Sequence, residues 1–166
     1  MGNEEPQIVE LEQQHAVAMR GDVPVAKLPQ FFEKAYTAVV AAVEQAGAEI
    51  AGPPFGYYPA MPTDGMVSVE AGFPVSGPIA VSGEVHDLVL PGGRAVVAWH
   101  IGPYERMEET YDALQAWMAR SQLEPASAMW ECYLSNPVVE PDPSTWRTKI
   151  VWPIETTAGT GKRTDR

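Results

Sequence analysis

The sequence predicts an α+β fold in which two β-α-β-β modules form one antiparallel sheet, with both helices on one face and a cleft between the halves. The first observation is an internal repeat with a separation of 75 positions, as between Tyr58 and Tyr133. Two segments with helical periodicity and several β-rich runs bounded by Gly and Pro complete the pattern. Identical pairs of the repeat include Glu33/Glu108, Tyr36/Tyr111, Ala38/Ala113, Ala41/Ala116, Glu49/Glu124 and Tyr58/Tyr133.

Each module is predicted to contain one amphipathic helix. In the first module, a strand over 15–20 precedes a helix over 29–46, and Gly47 suits the end of that helix. In the second module, the helix is predicted over 104–120, with Pro103 at its start. Apolar side chains at helical spacing mark the buried faces of both helices: Phe32, Tyr36, Val39 and Val43, then Met107, Tyr111, Leu114 and Met118. The remaining strands are predicted over 65–73, 80–90, 94–101, 129–134 and 146–154.

These elements predict one domain over residues 1–155, with repeat halves at about 6–75 and 80–155. A chain of 166 residues with 45% apolar and 20% charged residues has the size and composition of a single globular domain. The segment 156–166 is rich in Gly, Thr and charge, has nothing to bury, and is predicted to be a disordered tail.

Charge and cysteine content exclude several kinds of partner. The chain has 22 acidic residues against 11 Lys and Arg, a formal net charge of −11, which disfavours direct binding to a nucleic-acid backbone and favours cationic molecules. One cysteine, Cys132, excludes an internal disulfide and is expected to be a buried, inert thiol. We expect no metal site and no cofactor. No apolar run could cross a bilayer and no secretory signal is present, so a bacterial cytoplasmic protein without membrane contact is expected.

Glu131 is the main candidate for a functional residue because it interrupts the apolar strand 129–134. Strand alternation places it on the same face as Met129 and Tyr133. A carboxylate that faces a core is unfavourable unless it is paired, neutral or open to a ligand, so a ligand pocket is one interpretation and a solvent-exposed strand face is the other. The repeat partner of Glu131 is Gly56, so one half offers an acid and the other offers space, unless Gly56 only serves a bulge or turn.

Several short runs resemble the GyrI-like small-molecule-binding family, which includes the effector-binding domains of AraC- and MerR-type regulators. The resemblance extends over roughly residues 6 to 155. The runs are Gly52-Pro53-Pro54-Phe55 with Tyr57-Tyr58, Gly72-Phe73-Pro74-Val75, His100-Ile101-Gly102-Pro103-Tyr104-Glu105, Glu131-Cys132-Tyr133-Leu134 and Lys149-Ile150 to Pro153-Ile154. This resemblance implies a pair of SHS2 modules with a ligand cleft between them.

The resemblance also implies the ligand and the residues that bind it. Lipophilic, often cationic or planar compounds would enter the cleft, with Glu131 at its floor and Tyr133 and Tyr58 beside it. Trp99 and Phe73 are further aromatic candidates for the wall, although either residue could instead belong to the core. Ligand binding and ionisation of Glu131 should be coupled, because burial raises a carboxylate's pKa and an organic cation lowers it again.

Three functions remain open at this stage. The first is a stand-alone multidrug-type binding protein, since no helix-turn-helix is present in the sequence, and it would be a monomer or weak homodimer. The second is a hydrolase of electrophilic cyclopropanoid natural products, an activity known in the GyrI-like family, with Glu131 and Tyr133 as catalytic residues. The third is a protein-interaction module that resembles a DNA gyrase inhibitor.

Overall fold

The computed structural model describes residues 5–60, 63–81, 83–103, 106–135 and 141–155, and these contain nine strands and two α-helices. The helices are α1 (Leu28–Gln45) and α2 (Met107–Arg120), and short 3-10 turns cover Val25–Lys27 and Pro143–Thr145. The strands are β1 (Gln7–Leu11), β2 (Gln14–Pro24), β3 (Phe55–Tyr58), β4 (Met66–Pro74), β5 (Val85–Leu90), β6 (Gly93–Ile101), β7 (Glu124–Pro125), β8 (Met129–Tyr133) and β9 (Arg147–Glu155).

Chain connectivity requires the sheet to curl. The strand order is β1-β6-β9-β8-β3-β4-β2-β5, every pair is antiparallel, and β7 adds to β9. Only residues 12–13 separate β1 from β2, and only residues 91–92 separate β5 from β6, yet the members of each pair lie in opposite halves of this order. Six strand spacings in a flat sheet span about 29 Å, whereas three Cα steps reach only about 11 Å. The sheet is therefore a half-barrel.

Both helices cover the same face of this sheet. Residues paired across a ladder share a face, and one such row runs through five strands: Ala71, Gly56, Glu131, Ile150 and Ala98. Val39 of α1 packs in the same apolar cluster as Ala71, and Leu114 of α2 packs in the same cluster as Ile150 and Ala98. Each helix thus covers its own half of the sheet, and the β3–β8 pair lies at the centre of the strand order.

A third apolar cluster occupies the opposite, helix-free face. It joins strands from both halves and includes Ala18, Phe55, Trp130 and Val151. Phe55 and Trp130 are equivalent positions of the repeat, and both are at most 5% exposed. Burial of large aromatic side chains from both modules in one cluster ties the halves together as a single unit.

The two helices end in the same way at equivalent positions. Gly47 (φ 72°) and Gln122 (φ 61°) both adopt the left-handed conformation after their helices. In each case the following amide donates to the carbonyl oxygen five residues earlier, at 3.1 and 2.9 Å respectively. The predicted role of Gly47 at the end of the first helix is thus confirmed. The second module has the same turn with Gln122, although glutamine adopts the left-handed conformation less readily than glycine.

The predicted α+β architecture, with two helices on one face of an antiparallel sheet, is confirmed. The predicted strand over 80–90 is shorter and begins at Val85, because Gly83 (φ 87°) lies in a turn. No strand range was predicted from the sequence for β1, β3 or β7. The start of the second predicted helix, at 104–105, and the tail 156–166 lie outside the described residues. No helix in the described ranges has the length and apolar character needed to cross a membrane.

Candidate functional site

The pseudo-two-fold axis of the repeat passes between Glu131 and Gly56. Glu131 lies in the middle of β8, directly opposite Gly56 of β3, and these two residues are each other's equivalents in the repeat. On either side of them the pairing is also symmetric, because Phe55 opposes Cys132 and Tyr57 opposes Trp130. The acid therefore lies where the two modules meet. Only the second module has it, because the equivalent residue of the first module is Gly56.

The carboxylate of Glu131 accepts hydrogen bonds from two phenols. Tyr111 of α2 donates to Oε2, and Tyr133 of β8 donates to Oε1 at 2.7 Å. The hydroxyls of Tyr133 and Tyr58 lie 3.3 Å apart. Because the single proton of Tyr133 points to the carboxylate, Tyr58 is the donor in that contact. The result is a polar chain in which three tyrosines supply donors toward one carboxylate.

Burial controls the protonation of this cluster. Desolvation raises the pKa of Glu131, and the hydrogen bonds from Tyr111 and Tyr133, together with the electrostatic effect of His100, lower it in part. Burial and the Glu131 charge also raise the pKa values of Tyr58, Tyr111 and Tyr133, so the phenols remain neutral donors. Among the described residues, no cation forms an ion pair with Glu131. None of these four residues is nevertheless in the fully buried class.

Aromatic rings from α1 form the wall on the Gly56 side. Phe32 stacks on Tyr36 with ring centroids 5.7 Å apart, and its centroid is 5.6 Å from that of Tyr133. A Cβ atom at Gly56 would lie 3.0 Å from the Tyr133 hydroxyl and 3.3 Å from the Phe32 ring. The absence of a side chain at Gly56 therefore allows Phe32 and Tyr133 to approach the sheet.

Three residues of this cluster were not among the predicted site residues: Tyr111, Tyr36 and Phe32. Their helical spacing predicted that all three belong to the buried faces of the helices. A signal was present, because Tyr36 and Tyr111 are an identical pair of the repeat and a hydroxyl on a buried helix face needs a partner. Tyr111 finds the Glu131 carboxylate, whereas Tyr36 donates to the backbone carbonyl of Phe55 at 3.0 Å.

The structure brings together Glu131, Tyr133 and Tyr58, but places Trp99 elsewhere. Trp99 pairs with Lys149, so its side chain is on the opposite face of the sheet from Glu131, where the Arg147 guanidinium carbon lies 4.7 Å from the ring centroid. Phe73 is on the same face as Glu131 but contacts Tyr36, with ring centroids 5.4 Å apart and perpendicular packing. It therefore supports the aromatic wall from behind.

Two cavities of about 710 and 810 Å³ lie away from Glu131. The first is bounded by the outer face of α1 and the start of β5, and the second by α2 and the end of β6, including Trp99. Neither of these two cavities is lined by Glu131 or by its tyrosine partners.

The described ranges contain no group of three His, Cys, Asp or Glu side chains arranged as metal ligands. Burial raises the pKa of Cys132 to about 11, so its side chain is a neutral thiol at physiological pH. The chemistry that the cluster offers is that of one desolvated carboxylate, several neutral phenols and flat aromatic faces.

Comparison with solved structures identifies related folds. The C-terminal domain of EcmrR superposes with a TM-score of 0.79 at 21% identity, covering 93% of this chain and 99% of that one. In the EcmrR–DNA complex, this chain spans 57% of the length of EcmrR. SAV2435 bound to tetraphenylphosphonium has a TM-score of 0.62 at 13% identity, over 93% of this chain and 96% of that one. A hydrolase from Listeria innocua has a TM-score of 0.61 at 14% identity, over 91% and 92%.

No curated protein sequence shows significant similarity to this chain. The sequence profile of the GyrI-like small molecule binding domain, however, matches residues 4–155, which is nearly all of the chain described by the structure. The fold shared with the EcmrR domain agrees with that match. The chain therefore belongs to the GyrI-like small-molecule-binding domain family.

Proposed function

We propose that this protein binds lipophilic organic cations, with the Glu131 carboxylate as the counter-ion. The observation that supports the proposal is a desolvated carboxylate at the centre of the molecule whose hydrogen-bond donors are neutral phenols and which forms no ion pair with a described residue. A structural acid in this position would ordinarily be paired with Arg or Lys.

A cation would satisfy this carboxylate better than the phenols do. Electrostatic attraction is stronger in a desolvated site than in water, and a large organic cation has a small hydration penalty. The rings of Tyr133, Tyr58 and Tyr111 would add cation–π attraction of about 0.5 to 2 kcal/mol for each well-placed ring. The formal net charge of −11 would favour the approach of cations and disfavour anions.

Binding would require the hydroxyls of Tyr111 and Tyr133 to give way, since they cover both carboxylate oxygens. Neither tyrosine is in the fully buried class, so we expect rotation about their side-chain bonds to admit the ligand. A site lined by aromatic rings and one charge selects for shape only loosely, which is the property of a multidrug-type binder. The capture of tetraphenylphosphonium by the structurally similar SAV2435 makes that cation a suitable probe.

The test is isothermal titration calorimetry of tetraphenylphosphonium with wild type and Glu131→Gln. We expect the variant to bind about 10- to 100-fold more weakly, because the amide keeps the shape of the carboxylate and loses its charge. Triphenylphosphine oxide, a neutral aryl compound, should bind both proteins within about twofold.

Glu70→Gln is the matched control. Glu70 is a strand carboxylate paired with His86 on the opposite face of the sheet, so its substitution removes the same charge without touching the cluster. Its affinity for tetraphenylphosphonium should equal that of wild type. If Glu131→Gln lost equal affinity for the cation and for the neutral compound, the Glu131 carboxylate would not be the counter-ion of the binding site.

Hydrolysis of cyclopropanoid compounds remains the alternative prediction, with Glu131 to activate water and Tyr133 to stabilise the developing oxyanion. Each carboxylate oxygen accepts from one phenol and retains a second acceptor position, where a catalytic water could be held. Product analysis with a cyclopropanoid substrate distinguishes the two functions, since many turnovers that disappear in Glu131→Gln would establish catalysis. Gyrase inhibition, the cytoplasmic location and the monomeric or weakly dimeric state also stay predictions.

A further inference from the structure

Thr148 is a fully buried polar residue on the same face of the sheet as Glu131. It lies in β9, its exposed fraction is 0%, and its ladder partners are Tyr133 of β8 and His100 of β6. Within the described part of the chain, its hydroxyl forms no hydrogen bond. A threonine therefore occupies this position although its hydroxyl has no hydrogen-bond partner among the described residues.

Both ladder neighbours of Thr148 use their polar atoms elsewhere. The Tyr133 hydroxyl donates to Glu131. His100 places Nε2 2.8 Å from the carbonyl oxygen of Pro103 and Nδ1 2.6 Å from the hydroxyl of Thr110. Because a carbonyl oxygen only accepts, Nε2 carries a proton and donates it to Pro103. Both ring nitrogens of His100 are thus engaged by groups other than Thr148.

An unbonded buried hydroxyl destabilises a folded protein, and valine would fill the same volume without that penalty. The other buried threonine, Thr110, shows the ordinary arrangement, because its hydroxyl is bonded to His100. The difference between these two threonines indicates that the hydroxyl of Thr148 serves something other than the stability of the fold.

The position of Thr148 relates it to the carboxylate. Glu131 pairs with Ile150, so Thr148 is the diagonal neighbour of Glu131 across the β8–β9 ladder, at a distance of roughly 7 to 8 Å between Cα atoms. We infer, on the basis of the proposed function, that Thr148 supplies a neutral hydrogen bond to a polar group carried by a cation bound at Glu131. The preferred ligands are then lipophilic cations with one hydroxyl or carbonyl group about one aromatic ring away from the charge.

Two matched probes test this inference in calorimetry: tetraphenylphosphonium, which has no hydrogen-bonding group, and its 4-hydroxymethyl derivative. Wild type should prefer the hydroxymethyl compound by about fivefold, which is the contribution of one neutral hydrogen bond. Thr148→Val should bind both compounds equally, and Thr148→Ser should keep the preference because it retains the hydroxyl. If the valine variant does not fold, Thr148→Ala replaces it.

Thermal unfolding supplies a second readout without ligand. Thr148→Val should raise Tm by about 2 to 4 °C, whereas Thr110→Val should lower it, because only the second change breaks a hydrogen bond. Binding of both probes with an unchanged preference in Thr148→Val would overturn this inference and leave the proposed function standing. If neither probe bound wild type, both the proposed function and this inference would be contradicted.

Discussion

The two halves of this protein place the same tyrosine in two different environments. Tyr36 on α1 and Tyr111 on α2 are equivalent residues, and each projects from its helix toward the central β3–β8 pair. In the first half the sheet offers Gly56, and the phenol donates to a backbone carbonyl. In the second half the sheet offers Glu131, and the phenol donates to a carboxylate.

The difference between the halves lies in a few side chains, not in the backbone. Phe32 fills the space above Gly56, while its equivalent, Met107, packs in the core of the second half. The space above Gly56 is thereby filled by an apolar side chain, whereas the other half holds an acid that forms no ion pair with a described residue. A duplicated scaffold can therefore form an asymmetric site by changing a single strand position and the side chains facing it.

Gly56→Glu would break this asymmetry most severely. A second carboxylate would lie directly opposite Glu131 and would collide with Phe32 and Tyr133, since even a Cβ atom there lies within 3.3 Å of both. We expect the free energy of unfolding to fall by about 3 kcal/mol or more in urea denaturation. Gly56→Ala, which adds bulk without charge, should cost about 1 to 2 kcal/mol. Wild-type stability in the glutamate variant would show that the position is not enclosed.

Glu131, the acid of the second half, should make the free energy of unfolding depend on pH. Burial raises the folded-state pKa of Glu131 above its ordinary value of 4.5. The stabilisation that comes from protonated Glu131 is therefore fully present below pH 4.5 and is lost as pH rises through the raised pKa. Within that window each pH unit should cost about 1.4 kcal/mol. Denaturation curves of wild type and Glu131→Gln, measured from pH 4 to 8, should diverge in favour of glutamine. Parallel pH profiles would mean that the carboxylate is solvated.

Removal of the hydroxyl from Tyr36 or from Tyr111 compares the two halves directly, and we expect the smallest effects from these variants. Tyr36→Phe and Tyr111→Phe should each cost about 1 kcal/mol of stability, because each loses one hydrogen bond. Only Tyr111→Phe should raise the pKa of Glu131 further, since the Tyr111 bond lowers it. Carbon-13 NMR titration of labelled glutamate carboxyls measures this directly. An equal shift in both variants would contradict the separate roles of the two phenols.

Much of this arrangement could be predicted from the repeat. Tyr58 and Tyr133 were expected to face each other, and their hydroxyls lie 3.3 Å apart. Gly56 was expected to be the counterpart of Glu131, and the two residues are ladder partners. Both expectations follow from symmetry, because equivalent residues near a two-fold axis must be close to each other. The helix predicted over 29–46 is found at Leu28–Gln45 because its apolar spacing marks a face that must be buried.

Long-range packing determined the rest. Alternation showed that Trp99 shares a strand face with Val97, but only the strand order and register show that this face is opposite to Glu131. Strand β1 escaped prediction because it is an edge strand whose partner, β6, lies far along the chain.

Local chemistry and periodicity determined the repeat, the helices and the presence of an acid in an apolar strand, because each depends on residues close together in sequence. The tertiary structure alone decided which groups reach that acid. Tyr111 reaches Glu131 because α2 lies over the second half of the sheet. The hydroxyl of Thr148 has no partner among the described residues because both of its ladder neighbours are engaged elsewhere. Hydrogen bonds depend on distances of a few tenths of an ångström, and those distances are set only when helices and sheet pack together.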